Sequence, residues 1–143
     1  MGKTRIIKKG ETTPMEEKAQ KVSGRAGLKV ARGIARVKAT YNNTLIMITD
    51  EKGNALGWSS AGSLGYSGAK KATPFVAARV AETVAEKVRK FGLQELVVRV
   101  SGVGSGRDSA IRALANQGFH LIAIEDMTPI PHNGPRPKKP RRV

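Results

Sequence analysis

The run Gly102-Val103-Gly104-Ser105-Gly106-Arg107 holds residue types suited to binding an anion. Glycines let a phosphate approach the backbone, the N–H groups that open a helix attract negative charge, and a guanidinium adds a two-pronged donor. The run departs from the dinucleotide fingerprint G-x-G-x-x-G, has no Gly-Lys-Ser/Thr ending, and lacks an acidic residue at the distance that would hold a ribose. A free nucleotide and a tight turn therefore stay as alternatives, and the phosphates of an RNA backbone are the leading reading. Ser59, Ser60 and Gly62, in a stretch ending at Lys70 and Lys71, offer hydroxyls, open backbone and two cations suited to sugar and phosphate contacts. A flexible hairpin connector is the plainer account of that stretch. Asn42 and Asn43 can donate to RNA or simply make a turn. Lys38 and Arg112 add cations on a strand and a helix, and His132, Asn133, Arg136, Lys138, Lys139, Arg141 and Arg142 crowd the C-terminal end.

Catalytic patterns are scarce. Neither G-x-S-x-G nor H-E-x-x-H occurs, and without cysteine there is no thiolate nucleophile, thiolate metal site or disulfide framework. His120 falls in a strand, where packing is the ordinary role, and His132 has no carboxylate near it in sequence. Asp50, Asp108, Glu125 and Asp126 are the acids that a two-metal hydrolase would need to gather. Asp50 also fits a turn, and Asp108 fits as the acidic partner of a Ser105 helix cap. No enzyme activity, metal or cofactor is expected.

The elements that must position these residues follow from periodicity and turn chemistry. Ala35, Val37 and Ala39 alternate with polar residues as in a half-exposed strand, and Tyr41 continues that alternation. Leu45–Thr49 and Ala55–Ser60 are further strands, joined through Asp50-Glu51-Lys52-Gly53-Asn54, so an antiparallel meander is expected. Trp58 is expected in the core. Thr73-Pro74 starts a helix whose Val76, Val80, Val84 and Val88 share one face, with Glu86 and Lys90 placed to pair outside it; Gly92 ends it. Leu96–Val100 is a buried strand, a second helix runs from about Ser105 to Ala115, and Phe119–Glu125 is the last strand. The order β-β-β-α-β-α-β implies an α/β fold with parallel later strands, right-handed crossovers and helices covering the sheet.

Charge divides the chain into three parts. Residues 1–32 carry nine Lys/Arg against three Glu, and residues 128–143 carry five against no acid, while residues 33–127 hold twelve against eight. The first part reads as a basic N-terminal arm, with one short helix possible over residues 14–21, the second as the α/β core, and the third as an extended tail stiffened by Pro129, Pro131, Pro135, Pro137 and Pro140. A net charge of +15 calls for a polyanionic partner, nucleic acid first. Apolar runs are too short for a membrane span or a secretory signal, so a cytoplasmic protein with no membrane partner is expected. Aromatics make up only 4%, which favours recognition of RNA shape and backbone over stacking on splayed bases.

Five stretches, in order, resemble one family: Tyr41-Asn42-Asn43-Thr44, Trp58-Ser59-Ser60-Ala61-Gly62, Lys71-Ala72-Thr73-Pro74-Phe75, Gly104-Ser105-Gly106-Arg107, and Asp126 through Gly134. The family is that of bacterial-type ribosomal protein eleven of the small subunit, and the likeness runs from about Gly33 to Val143. It implies a ribonuclease-H-like fold without catalysis, in the subunit platform. It also implies contact with small-subunit rRNA near the mRNA exit, proximity to mRNA upstream of the start codon, and ribosomal proteins seven and eighteen as neighbours. The family commonly has proline at the position of Val103, and cysteine then arginine where this chain has Pro135-Arg136, so contacts beyond Gly134 carry over less directly. Asn133-Gly134 is a pair prone to succinimide formation, which makes Asn133 a candidate isoaspartate site. The residues alone also leave open a DNA-compacting protein or a metal-dependent nucleic-acid hydrolase.

Overall fold

Strand formation starts where β-branched and small apolar residues begin to alternate. In the computed structural model, which describes residues 29–142, β1 spans Arg32–Ala39, β2 Thr44–Asp50 and β3 Ala55–Ser60. Helix α1 (Pro74–Arg89), β4 (Glu95–Ser101), α2 (Gly106–Asn116) and β5 (His120–Asp126) follow, so the element order is the expected one. Residues 1–28, with the helix suggested over 14–21, and Val143 lie outside the described residues. Val30 is already tied to the core, its N–H donating to the Phe91 carbonyl at 2.9 Å.

The five strands form one sheet in the order β3-β2-β1-β4-β5. β1–β2 and β2–β3 pair antiparallel, whereas β1–β4 and β4–β5 pair parallel. Both helices lie on one face: α1 packs on β2, β3 and α2, and α2 also reaches β1. Val76, Val80, Val84 and Val88 share one buried cluster with Ile46, Ile48, Leu96 and Val98, and each buried valine contributes about 1.5–3 kcal/mol. Thr73 does not cap α1 through its side chain, because its hydroxyl donates to the Lys70 carbonyl at 2.7 Å. On the outside of α1, Arg79 pairs with Glu82 at 3.0 Å, and no Glu86–Lys90 ion pair forms among the described residues.

Two expectations about packing are corrected. β1 ends at Ala39, so Tyr41 stands in the β1–β2 turn and is exposed. Trp58 is 52% exposed rather than in the core. It pairs across β3–β2 with Met47, on the face away from the helices, and no described element covers that face.

Candidate nucleic-acid interface

Parallel pairing puts the ends of β1, β3, β4 and β5 and the start of β2 along one edge of the sheet. The loops leaving that edge come from four distant parts of the chain, and backbone bonds bind them together. Gly104 N–H donates to the Ala39 carbonyl at 3.0 Å, Ala61 N–H to the Thr44 carbonyl at 3.0 Å, and Met127 N–H to the Val100 carbonyl at 2.7 Å. The Ser105 hydroxyl joins the α2 start to the segment before α1 by donating to the Ala72 carbonyl at 2.7 Å. It is therefore not the expected cap of α2, and Asp108 in the first turn complements the helix dipole without it. In open α/β sheets, ligands bind beyond the carboxyl ends of the strands, which is the edge where these loops converge.

The expected contact residues fall into exposed and structural groups. Asn42, Ser105, Lys70 and Gly62 are exposed at this edge, Lys71 is half-buried in a short 3-10 turn over Gly68–Ala72, and Lys38 points from β1 onto the open face. Asn43 is half-buried, with its N–H donating to the Thr40 hydroxyl at 3.0 Å. Among the described residues, Asn43 Oδ1 and Thr44 Oγ1 have no hydrogen-bond partner. Ser59 is buried. Since the Ser63 hydroxyl donates to the Ser60 carbonyl at 2.8 Å, the Ser59 hydroxyl must be the donor in its 3.1 Å contact with Ser63. That side chain shapes the loop from inside. Gly104 and Gly106 are likewise buried, and Gly106 sits against Thr44 and Ala77, where a Cβ would come within 2.8 Å of both. Arg112 is exposed on α2, six residues and so about 9 Å of helix rise beyond the loop.

Arg107 was expected to grip phosphate, and its guanidinium already has two partners within the chain. It donates to the Gly102 carbonyl at 3.0 Å and to Asp126 Oδ2 at 2.8 Å. Asp126 also accepts from the Thr128 hydroxyl at 2.6 Å and the Thr128 N–H at 2.9 Å, while Thr128 Oγ1 accepts from Gly102 N–H at 3.2 Å. Gly102, Arg107, Asp126 and Thr128 thus form one clasp that fixes where the tail leaves the sheet. Sequence reasoning missed Thr128 and the structural use of Asp126, although Asp-x-Thr is a local pattern in which a side chain bonds the backbone two residues on. We expect Arg107→Ala to cost about 1 kcal/mol of stability, since its partners are charge-assisted but partly solvated. Denaturant midpoints would check this, and an unchanged midpoint would remove the clasp from the stability account.

The Thr128 hydroxyl, and after it the Arg107 guanidinium, hold the Asp126 carboxyl far below its ordinary value of 3.8. A depressed folded-state value means that the clasp's contribution is fully present above about pH 4 and is lost only as the pH falls through the lowered value. Carboxyl NMR titration should therefore show Asp126 still ionised at pH 3; a midpoint near 3.8 would contradict the clasp.

Beyond Thr128 the tail is exposed and has no regular secondary structure, and Asn133 stands at φ 52°, in a left-handed conformation that asparagine tolerates. His132, Arg136, Lys138, Lys139, Arg141 and Arg142 all project from this extended segment. The opposite end of the sheet is charge-balanced, with Asp50, Glu51 and Glu95 set among Lys29, Arg32 and Lys52, and Arg32 binds Glu95 at 3.0 Å. Asp50 holds a turn there by accepting from Asn54 Nδ2 and N–H, each at 2.8 Å. It pairs with Gly33 at the start of β1, whereas Asp126 pairs with Val100 at the end of β4, so these two acids stand at opposite ends of the sheet. Among the described residues no three acids or histidines gather as a metal site, and no helix is long and apolar enough to cross a membrane.

The sheet order, the loop edge and the basic tail all lie within the part of the chain that a family model recognises: residues 33–142 match the model described as ribosomal protein S11. That match covers well over half of the 143 residues. The chain belongs to the ribosomal protein S11 family.

Proposed function

We propose that this protein grips small-subunit rRNA in the subunit platform with the loop edge of its sheet and its C-terminal tail. As a member of its family it is a structural, RNA-binding protein of the small ribosomal subunit, associated with rRNA and other ribosomal proteins. The finer reading is that it sits in the cytoplasmic ribosome beside ribosomal proteins seven and eighteen and shapes the mRNA exit near the segment upstream of the start codon. One observation carries the proposal: four loops and the basic tail converge at a single edge of the sheet. Lys38, Asn42, Asn43, Ser60, Gly62, Lys70 and Lys71 would meet sugar and phosphate there. Ser59, Gly104, Ser105, Gly106 and Arg107 would hold the loops in shape, Arg112 would reach RNA along the helix flank, and Asn133 is the proposed isoaspartate site. Its test is peptide mapping of assembled particles, where only intact asparagine would dismiss it.

Binding through many phosphates releases counterions, so affinity should fall at least about tenfold over a fewfold rise in salt. Filter binding to a platform rRNA fragment checks this, and a flat salt dependence would overturn it. In a sucrose gradient the protein should travel with small subunits. Cosedimentation with chromosome, together with a preference for duplex DNA, would replace the proposal with DNA compaction.

A further inference from the structure

Asp126 ends β5 at the loop edge, where the charge of an exposed carboxylate works against the binding of phosphate. Its hydrogen bonds give it a different task. Oδ1 accepts from both the hydroxyl and the N–H of Thr128, and Oδ2 accepts from Arg107, whose other branch donates to the Gly102 carbonyl. Thr128 Oγ1 in turn accepts from Gly102 N–H, and Met127 N–H donates to the Val100 carbonyl. Among the described residues, these are the last hydrogen bonds that tie the tail to the core.

Every residue beyond Thr128 inherits its direction. Pro129 confines the Thr128 backbone to extended conformations, and Pro129 and Pro131 fix their own φ, so the first leg of the tail is stiff. The chain then bends at His132 and Asn133, where Asn133 has φ 52° and a Cβ on Gly134 would lie 3.2 Å from Pro131. Arg136, Lys138, Lys139, Arg141 and Arg142 all follow that bend. At about 3.1 Å per residue Arg136 stands up to about 25 Å from Thr128, so a swing of about 20° at that pivot displaces it by up to about 9 Å. Hydrogen bonds to phosphate are lost over a far smaller displacement. Fixing the pivot therefore raises the effective concentration of the tail cations at one place on an RNA already held by the loop edge.

We infer that Asp126 and Thr128 are positioning residues for rRNA binding, aiming the basic tail so that an acid at the interface strengthens the hold on RNA. The inference rests on the tail's part in the proposed function. Asparagine at position 126 has one acceptor oxygen and cannot serve both Thr128 and Arg107. In filter binding of the full chain to small-subunit rRNA at low salt, Asp126→Asn should lower affinity about tenfold, although it removes a negative charge. In a chain whose five tail cations are changed to glutamine, the same substitution should alter affinity by less than about twofold, because no charge remains to be aimed. A purely structural role would give the same loss in both chains. Thr128→Val, which leaves the charge unchanged, should match the loss, and Thr128→Ser, which keeps the hydroxyl, should recover the affinity. Urea midpoints identify any variant that does not fold, and the two Thr128 variants decide the matter if Asp126→Asn is one. The inference is overturned if Asp126→Asn and Thr128→Val bind as tightly as the parent or more tightly, or if the loss is equal in both tail backgrounds. A five-glutamine chain that binds like the parent removes the tail from the proposed function and takes the inference with it, so the two failures are read from different chains.

Discussion

Gly102→Ala is expected to lower folding stability by about 3–5 kcal/mol, the largest effect of any single methyl added to the loop edge. Two costs combine. Gly102 has φ 98°, a conformation that costs an L side chain about 1–3 kcal/mol. A Cβ there would also run into the carbonyl oxygen of Ala39, which is backbone and cannot rotate aside as a side chain would. The same carbonyl accepts the Gly104 N–H, so the loop cannot retreat without breaking that bond. Gly53→Ala supplies the control, because Gly53 has φ 89° with no atom of the described residues within 4 Å of its Cβ position. It should show the conformational cost alone, about 1 kcal/mol. Urea titrations with equal slopes would separate the two. If Gly102→Ala lost no more than Gly53→Ala, the loop would be moving freely off the end of β1. Because Gly102 N–H also donates to Thr128, displacement of this loop should loosen the tail as well.

The order of elements was legible because each one carries its own local signal. Four valines at i+4 spacing mark the buried side of α1, and Ala35, Val37 and Ala39 mark that of β1. The edge that collects the loops was not legible in the same way, since it depends on β1 pairing with β4, whose partners lie more than sixty residues apart in sequence. Trp58 was misplaced for a related reason. Alternation assigns it to a face of β3, but only the positions of α1 and α2 decide which face is covered, and here both cover the other. The glycine-rich run was correctly located between β4 and α2, yet the partners of Arg107 could not be read from it. Asp126 lies nineteen residues on and reaches the loop only through the β4–β5 pairing. The basic tail is the reverse case: with no fold to pack into, its composition alone describes it.

That tail carries the second large expectation. Changing Arg136, Lys138, Lys139, Arg141 and Arg142 together to glutamine should leave unfolding unchanged, because these side chains are exposed and none is among the ion pairs of the core. Its effect on rRNA binding should be severe. If each cation neutralises one phosphate, the slope of log K against log salt should become shallower by about 4, and affinity at low salt should fall on the order of 10²–10⁴-fold. The prolines sharpen this expectation. A proline-stiffened segment running from Thr128 to Arg142 spans about 45 Å when fully extended, far enough to pass between RNA helices, and it loses less conformational entropy on binding than a flexible tail would. Arg112→Gln is the comparison, expected to change the slope by about 1. Filter binding at several salt concentrations measures both variants. A five-residue variant whose slope matched the parent would mean that the tail stands free of the phosphates, leaving the loop edge alone to hold the RNA.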